Sequence, residues 1–288
     1  MNYIHTLLFA FQPKRKRALL LLHYETYRAE PSRDWVVFVH GAGGSSSIWH
    51  RQLRAFKAHF NLLLLDLRGH GKSAHKGGGA QDYTFQAIAT DILDVLDHRR
   101  IAAAHFVGIS LGTVIIRALA DLAPERMRSM VLGGAITDLN LRVRFLMNSG
   151  YRLKRLVPFM WLYQLFAWIM MPRRPHRFSR RLFVEEAKKL SQEEFIRWFK
   201  LSREILPLLD HFNRLEADVP TLYLMGDGDF MFLNPVRQLV ERHQQAQVQI
   251  LDRAGHVCNV DQHRRFNARA IAFIRQHRTT PDPKTVKP

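Results

Sequence analysis

Three residue types that together perform acyl transfer occur in this chain in the order Ser110, an aspartate at 227 or 229, then His256. Ser110 lies in Gly108-Ile109-Ser110-Leu111-Gly112, a G-x-S-x-G pattern. The aspartates lie in Gly226-Asp227-Gly228-Asp229 and the histidine in Ala254-Gly255-His256. A serine hydroxyl is a weak nucleophile at its own pKa and needs an adjacent base. An imidazole accepts that proton near neutral pH, and a buried carboxylate holds its tautomer and steadies the imidazolium. A glycine-rich stretch, His40-Gly41-Ala42-Gly43-Gly44, lets backbone approach a substrate closely, so an N–H near Ala42 can donate to a developing oxyanion. Asp66 and His70 form a second Asp/His pair in the polar turn Asp66-Leu67-Arg68-Gly69-His70-Gly71-Lys72-Ser73. Because His256 supplies the base, we read these two as structural.

Each stretch follows an apolar run that reads as a buried strand. His105-Phe106-Val107 precedes Ser110, and Thr113 to Ala120 continues as a helix. Strand, sharp turn and helix place the hydroxyl at a strand's carboxyl end and a helix N-terminus, where partial positive charge favours an oxyanion. Trp35 to Val39 precedes the glycine stretch, Leu62 to Leu65 precedes Asp66, Ser129 to Ala135 is another strand, Thr221 to Met225 precedes Gly226, and Val248 to Leu251 leads to His256. Shorter apolar runs at 7–11 and 18–27 predict two earlier strands. Between strands, helices are predicted from Ile48 to Phe60, with Trp49, Leu53 and Phe56 on one face, from Tyr83 to Arg99, and from Phe266 to His277. Gly77-Gly78-Gly79 predicts a surface loop. Continuous apolar strands alternating with helices predict a parallel sheet covered on both faces. Open sheets of that kind carry their sites at the strands' carboxyl ends.

The alternation stops near Leu139 and resumes at Pro220. The chain therefore divides into a first core part (1–138), a helical lid (139–212), a second core part (213–278) and a disordered polar tail (279–288). Within the lid, Leu156 to Met171 is strongly apolar, and Trp161, Phe166 and Trp168 are expected to wall an apolar pocket. Flanking Pro158 and Pro172 and the interruption at Gln164 make it too short for a membrane span.

A chain of 288 residues, 47% of them hydrophobic, suits one large α/β unit. Its single cysteine, Cys258, excludes an internal disulfide and a cysteine metal site, and fits a cytoplasmic location. The apolar run at 7–11 precedes the basic run Lys14 to Arg17, the reverse of a signal peptide's order. No metal or cofactor is expected. The net charge is +18, and the lid carries half of it, with 15 Lys and Arg against 6 Asp and Glu. Such a balance attracts polyanions, but no nucleic-acid-binding motif accompanies it. Arg173, Arg174, Arg177, Arg180 and Arg181 follow the apolar stretch directly, the pattern of a peripheral contact with an anionic membrane surface.

These motifs together resemble the α/β-hydrolase superfamily, over residues 35–138 and 213–277. The resemblance rests on H-G-A-G-G at His40, D-L-R-G-H-G-K-S at Asp66, G-I-S-L-G at Gly108, G-D-G-D at Gly226 and G-H-V-C-N at Gly255. It implies a mostly parallel twisted sheet flanked by helices, a Ser110–Asp229–His256 triad, and an oxyanion hole from the N–H groups of Ala42 and Leu111. The stretch from Gly255 to Gln262, with Phe266-Asn267, is similar to the 3-oxoadipate enol-lactonase and esterase branch, which usually has Glu and Pro where this chain has Asp261 and His263. The implied activity is hydrolysis of a small-molecule ester, lactone or thioester. Carbon–carbon bond hydrolysis, cofactor-free oxidant chemistry and a small-molecule signalling receptor are the alternatives on this scaffold. Serine at 110 argues against the relatives that use aspartate as nucleophile.

Overall fold

The computed structural model describes residues 21–74, 83–139 and 158–278. The strand expected at 7–11, the glycine loop at 77–79, the first part of the insertion (140–157) and the tail from 279 lie outside the described residues.

Runs of valine and leucine bury fully only where both faces of a sheet are covered. Strands β2 (Trp35–Val39), β3 (Asn61–Leu65), β4 (Ala104–Ile109), β5 (Met127–Gly133) and β6 (Thr221–Gly226) carry such runs, and all their residues except Trp35 and Arg128 are buried. Strands β1 (Tyr24–Tyr27) and β7 (Ala246–Leu251) flank them, only partly buried, in one seven-stranded sheet of order β1-β3-β2-β4-β5-β6-β7. Among the described strands only β1 pairs antiparallel; the rest pair parallel. The carboxyl ends of β2, β4, β6 and β7 therefore lie along one edge of the sheet.

The described helices are α1 (His50–Lys57), α2 (Phe85–His98), α3 (Leu111–Leu122), α4 (Phe159–Met170), α5 (Arg177–Ala187), α6 (Gln192–Lys200), α7 (Ser202–Arg214), α8 (Leu233–Val240), α9 (Cys258–Asp261) and α10 (His263–Gln276). Thr84 starts α2 by accepting the Ala87 N–H on its hydroxyl at 3.0 Å. The buried positions Ile88, Ile92, Val95 and Leu96 then recur at helical spacing. Helix α2 packs on α3, and α1 on α10. Phe38 of β2 meets Trp49 and Phe56 at ring separations of 5.0 and 5.1 Å, which ties α1 to the sheet. Between β5 and β6, the chain from 158 to 214 holds α4 to α7 and no strand.

Candidate active site

Ser110 follows β4 directly and caps α3, with φ +54° and ψ −125°, a conformation strained for a residue with a side chain. Its N–H donates to the Gly133 carbonyl at 3.0 Å, and the Thr113 hydroxyl donates to its carbonyl at 2.6 Å. The flanking glycines have a packing reason. A Cβ on Gly112 would collide with the carbonyls of Val39 and His40, and one on Gly108 with the Ile116 side chain. These bare positions let α3 start close to β2 and β4.

The serine does not stand alone. Its O–H donates to His256 Nε2 at 2.8 Å, and the His256 Nδ1–H donates to Asp229 Oδ2 at 2.9 Å. All three side chains are buried. The neighbouring aspartates face elsewhere. Asp227 accepts the Ala254 N–H at 3.1 Å, and Asp138 accepts the Leu139 N–H at 2.7 Å. Asp261, where the enol-lactonase branch usually has glutamate, accepts the Gly255 N–H at 2.8 Å and so braces the loop that carries His256. The Phe232 ring lies 5.1 Å from the His256 imidazole.

Beside Ser110 run the glycine residues after β2. The Ala42 N–H has no hydrogen-bond partner among the described residues. Leu111 opens α3, and the first N–H groups of a helix have no partner within it. A Cβ on Gly41 would stand 3.1 Å from Ser110 Cβ and 3.6 Å from the Leu111 nitrogen, so this backbone borders the serine closely. The next peptide, Ala42–Gly43, is gripped at both ends: its carbonyl accepts the Tyr163 hydroxyl at 2.8 Å, and its N–H donates to His70 Nε2 at 2.9 Å.

His70 and His40 both serve backbone. His70 Nδ1–H donates to the Arg68 carbonyl at 3.0 Å. His40 accepts the Leu67 N–H on Nε2 at 3.0 Å and donates from Nδ1 to the Gly41 carbonyl at 2.8 Å. Burial pushes both imidazoles below their ordinary range, and His70, with His40 beside it, falls to about 3. Neutral rings are what these contacts require, since each ring must present one acceptor nitrogen. Asp66 accepts the N–H groups of Ser46 and Lys72 at 2.7 and 2.8 Å; burial pushes its carboxyl up, but these bonds bring it below the ordinary value.

Helices α4 to α6 lean on these loops through a few polar side chains. Ser45 donates to Glu186 at 2.8 Å, Trp198 Nε1 donates to the Arg68 carbonyl at 3.2 Å, and the Tyr83 hydroxyl donates to Glu194. Two of the places where these helices land are bare. A Cβ on Gly43 (φ +67°) would collide with the Tyr163 ring and hydroxyl, and one on Gly69 (φ +71°) with the Glu194 carboxylate. His176, buried just before α5, lies 2.7 Å from where a Cβ would stand on Gly228 and on Gly255, the glycines beside Asp229 and His256.

The pocket wall expected from Trp161, Phe166 and Trp168 is corrected by the rotation of α4. Tyr163, Ala167 and Met170 form its buried face, and Phe166 is partly buried against the core. Trp161 and Trp168 lie on the opposite, exposed face. The Tyr163 hydroxyl reaches Ala42 from the buried face, and Gln164, the one amide in the helix, lies on the exposed face. Among the described residues, no three His, Cys, Asp or Glu side chains gather as a metal site requires. Cys258 is buried with its thiol donating to the Leu224 carbonyl at 3.2 Å, and burial pushes it well above the usual thiol range. No described helix is long and apolar enough to cross a membrane.

A buried serine on a strand–helix elbow, at the carboxyl edge of a parallel sheet interrupted by a helical insertion, defines a class. The family profile described as Alpha/beta hydrolase family matches residues 36–269, and the chain belongs to that family and is a hydrolase. The chain is 29% identical over 262 residues to a protein of Stutzerimonas stutzeri named "Putative carbamate hydrolase RutD", covering 85% of this chain and 94% of that one. It is 30% identical over 118 residues to 3-oxoadipate enol-lactonase 2 of Acinetobacter baylyi, covering 41% of this chain and 43% of that one. The crystal structure of the enol-lactonase from Burkholderia xenovorans LB400 has the same fold, with a TM-score of 0.72, 22% identity, and coverage of 88% of this chain and 96% of its own.

Proposed function

We propose that this hydrolase cleaves a small-molecule carboxylic ester, lactone or thioester through an acyl-enzyme on Ser110. The observation that carries the reading is the unbroken line from Ser110 Oγ through His256 to Asp229, at 2.8 and 2.9 Å, on a strained elbow. Ser110 Oγ attacks the carbonyl carbon while His256 Nε2 takes its proton. The carbonyl electron pair moves onto oxygen, beside the N–H groups of Ala42 and Leu111. Collapse restores the carbonyl and expels the alkoxide or thiolate, which takes the proton back from His256. A water, deprotonated by His256 in turn, attacks the acyl-enzyme and frees the acid and Ser110. Asp229 stays ionised and steadies the imidazolium at each stage. Removal of one oxyanion donor costs about 10²–10³ in kcat, so a fixed Ala42 loop matters to the rate.

The insertion from α4 to α7 acts in this reading as the lid over the site, with Phe166 the remaining candidate for an apolar wall. The printed names of the relatives support acyl chemistry: one names a carbamate hydrolase and another an enol-lactonase. The test is a panel of short p-nitrophenyl esters, lactones and thioesters, together with fluorophosphonate labelling. Multiple turnover and labelling that disappears in Ser110→Ala are expected. Labelling that persists in Ser110→Ala overturns the nucleophile. Stoichiometric acylation with no release overturns the enzyme in favour of a receptor.

A further inference from the structure

Helix α4 buries one apolar face and leaves a second, interrupted by Gln164, exposed. Trp161, Leu165 and Trp168 stand on the other at 70%, 48% and 58% exposure. Positions i, i+4 and i+7 share a helix face, so these side chains form one ridge about 10 Å long. Phe178, near the start of α5, is also 53% exposed, with the Arg51 guanidinium 4.9 Å above its ring. Helix α5 packs against α4. Two exposed tryptophans on one helix face bury little area in the core, and indole rings favour the boundary between water and lipid.

The charge beside the ridge says which surface covers it. Chain direction leads from Met170, at the end of α4, through Pro172 to Arg173, Arg174 and Arg177. Their side chains are exposed and make no hydrogen bond or ion pair among the described residues. The acidic side chains nearby are engaged otherwise: Glu185 with Lys188, Glu186 with Lys189 and Ser45, Glu193 and Glu194 with Arg197. An apolar ridge followed in the chain by unpaired cations matches a surface that is apolar below and anionic above. We propose that the outer face of α4, with Arg173, Arg174 and Arg177, is a docking surface for an anionic lipid bilayer, on which the protein rests without crossing it. Burial of the indoles attaches the helix, and the guanidinium groups select for negative headgroups.

The occupant is distinguishable from a second copy of the chain or from another segment of this one. Full-length protein is sedimented with vesicles of phosphatidylserine and phosphatidylcholine, and with phosphatidylcholine alone, at low salt and in roughly 1 M salt, where screening leaves a reach of about 3 Å. Binding to the anionic vesicles that falls with salt is expected, with a blue shift of tryptophan emission. The double variant W161S/W168S should lose the shift and bind at least tenfold less. Replacing Arg173, Arg174 and Arg177 by Gln should lower binding about 100-fold, at about fivefold per cation. Unchanged thermal midpoints show that the variants fold. Ser110→Ala should bind as the parent does, which separates this proposal from the catalytic one. Equal binding to both vesicle types overturns it. So does a lipid-free dimer that W161S/W168S dissolves, or indoles already shielded from acrylamide without lipid.

Discussion

The loops at the sheet's carboxyl edge and the helices that cover them are held by opposite means. In the loops, polar side chains bond backbone: His40 to Leu67 and Gly41, His70 to Gly43 and Arg68, Asp66 to Ser46 and Lys72, Asp227 to Ala254, Asp261 to Gly255. These bonds fix main-chain positions beside Ala42 and His256, and in the turn from Asp66 to Lys72 that supports the Ala42 loop. In the covering helices, polar side chains reach across long sequence distances to single points, as Tyr163 does to Ala42 and Trp198 to Arg68. The loops are thus braced from within, while the cover is pinned at a few places. Loss of a brace should damage chemistry outright, and loss of a pin should degrade it by degrees.

The largest contrast tests the braced side. Ser110→Ala should lower kcat/KM by about 10³ or more. Asp229→Asn should cost on the order of 10⁴ in kcat, by analogy with loss of a triad carboxylate, while Asp227→Asn, which keeps an oxygen to accept the Ala254 N–H, should cost less than about tenfold. Steady-state kinetics of the two variants in parallel is the measurement, and equal losses would break the distinction between them.

Next in size is acid stability. Burial holds the imidazoles of His40, His70 and His105 below their ordinary range, to about 3 for His70 and His105. In the unfolded chain they protonate near pH 6.5, so the unfolded state takes up protons that the folded state refuses. Their contribution is complete above about pH 6.5 and is lost as pH falls toward 3, by up to about 1.4 kcal/mol per pH unit for each group. Urea midpoints at stepwise pH should fall steeply over that window. A flat profile would mean that the loops are not held by neutral histidines.

How much of this was legible in the sequence follows the same division. The elbow was readable because it is local: two glycines, a serine, an apolar run before and a helix after. The strands were readable because burial on both faces leaves unbroken apolar runs, although β7, an edge strand, alternates instead. Asp229 was separable from Asp227 only by resemblance, since two residues of spacing do not reveal which one meets an imidazole 27 positions away. The rotation of α4 was only weakly readable. Apart from Gln164, which lies exposed, and the Tyr163 hydroxyl, Phe159 to Met170 is apolar, so most phases bury apolar surface. Tyr163, His176 and Glu194 carried no motif; the only signal was the glycine at each place where they land.

Smaller effects test the pinned side. Tyr163→Phe removes one hydrogen bond to the Ala42 carbonyl, worth about 1 kcal/mol, and should lower kcat about fivefold with KM little changed. A KM effect alone would assign Tyr163 to substrate binding rather than to holding the loop. Glu186→Gln weakens the bond from Ser45 and should lower the thermal midpoint measurably. Glu185→Gln, which touches only exposed Lys188, should leave the midpoint where it was.

The missing side chains at Gly43, Gly69, Gly228 and Gly255 have a consequence for anyone who would recombine these enzymes. They make the insertion a keyed part, with Tyr163, Glu194 and His176 as the teeth. A chimera that exchanges everything between β5 and β6 for the helices of a relative would leave those four sockets empty unless the donor helices bring matching teeth. Grafts that retain Tyr163, His176 and Glu194 should seat, and specificity can then be varied on the remaining inner positions without re-engineering the loops beneath.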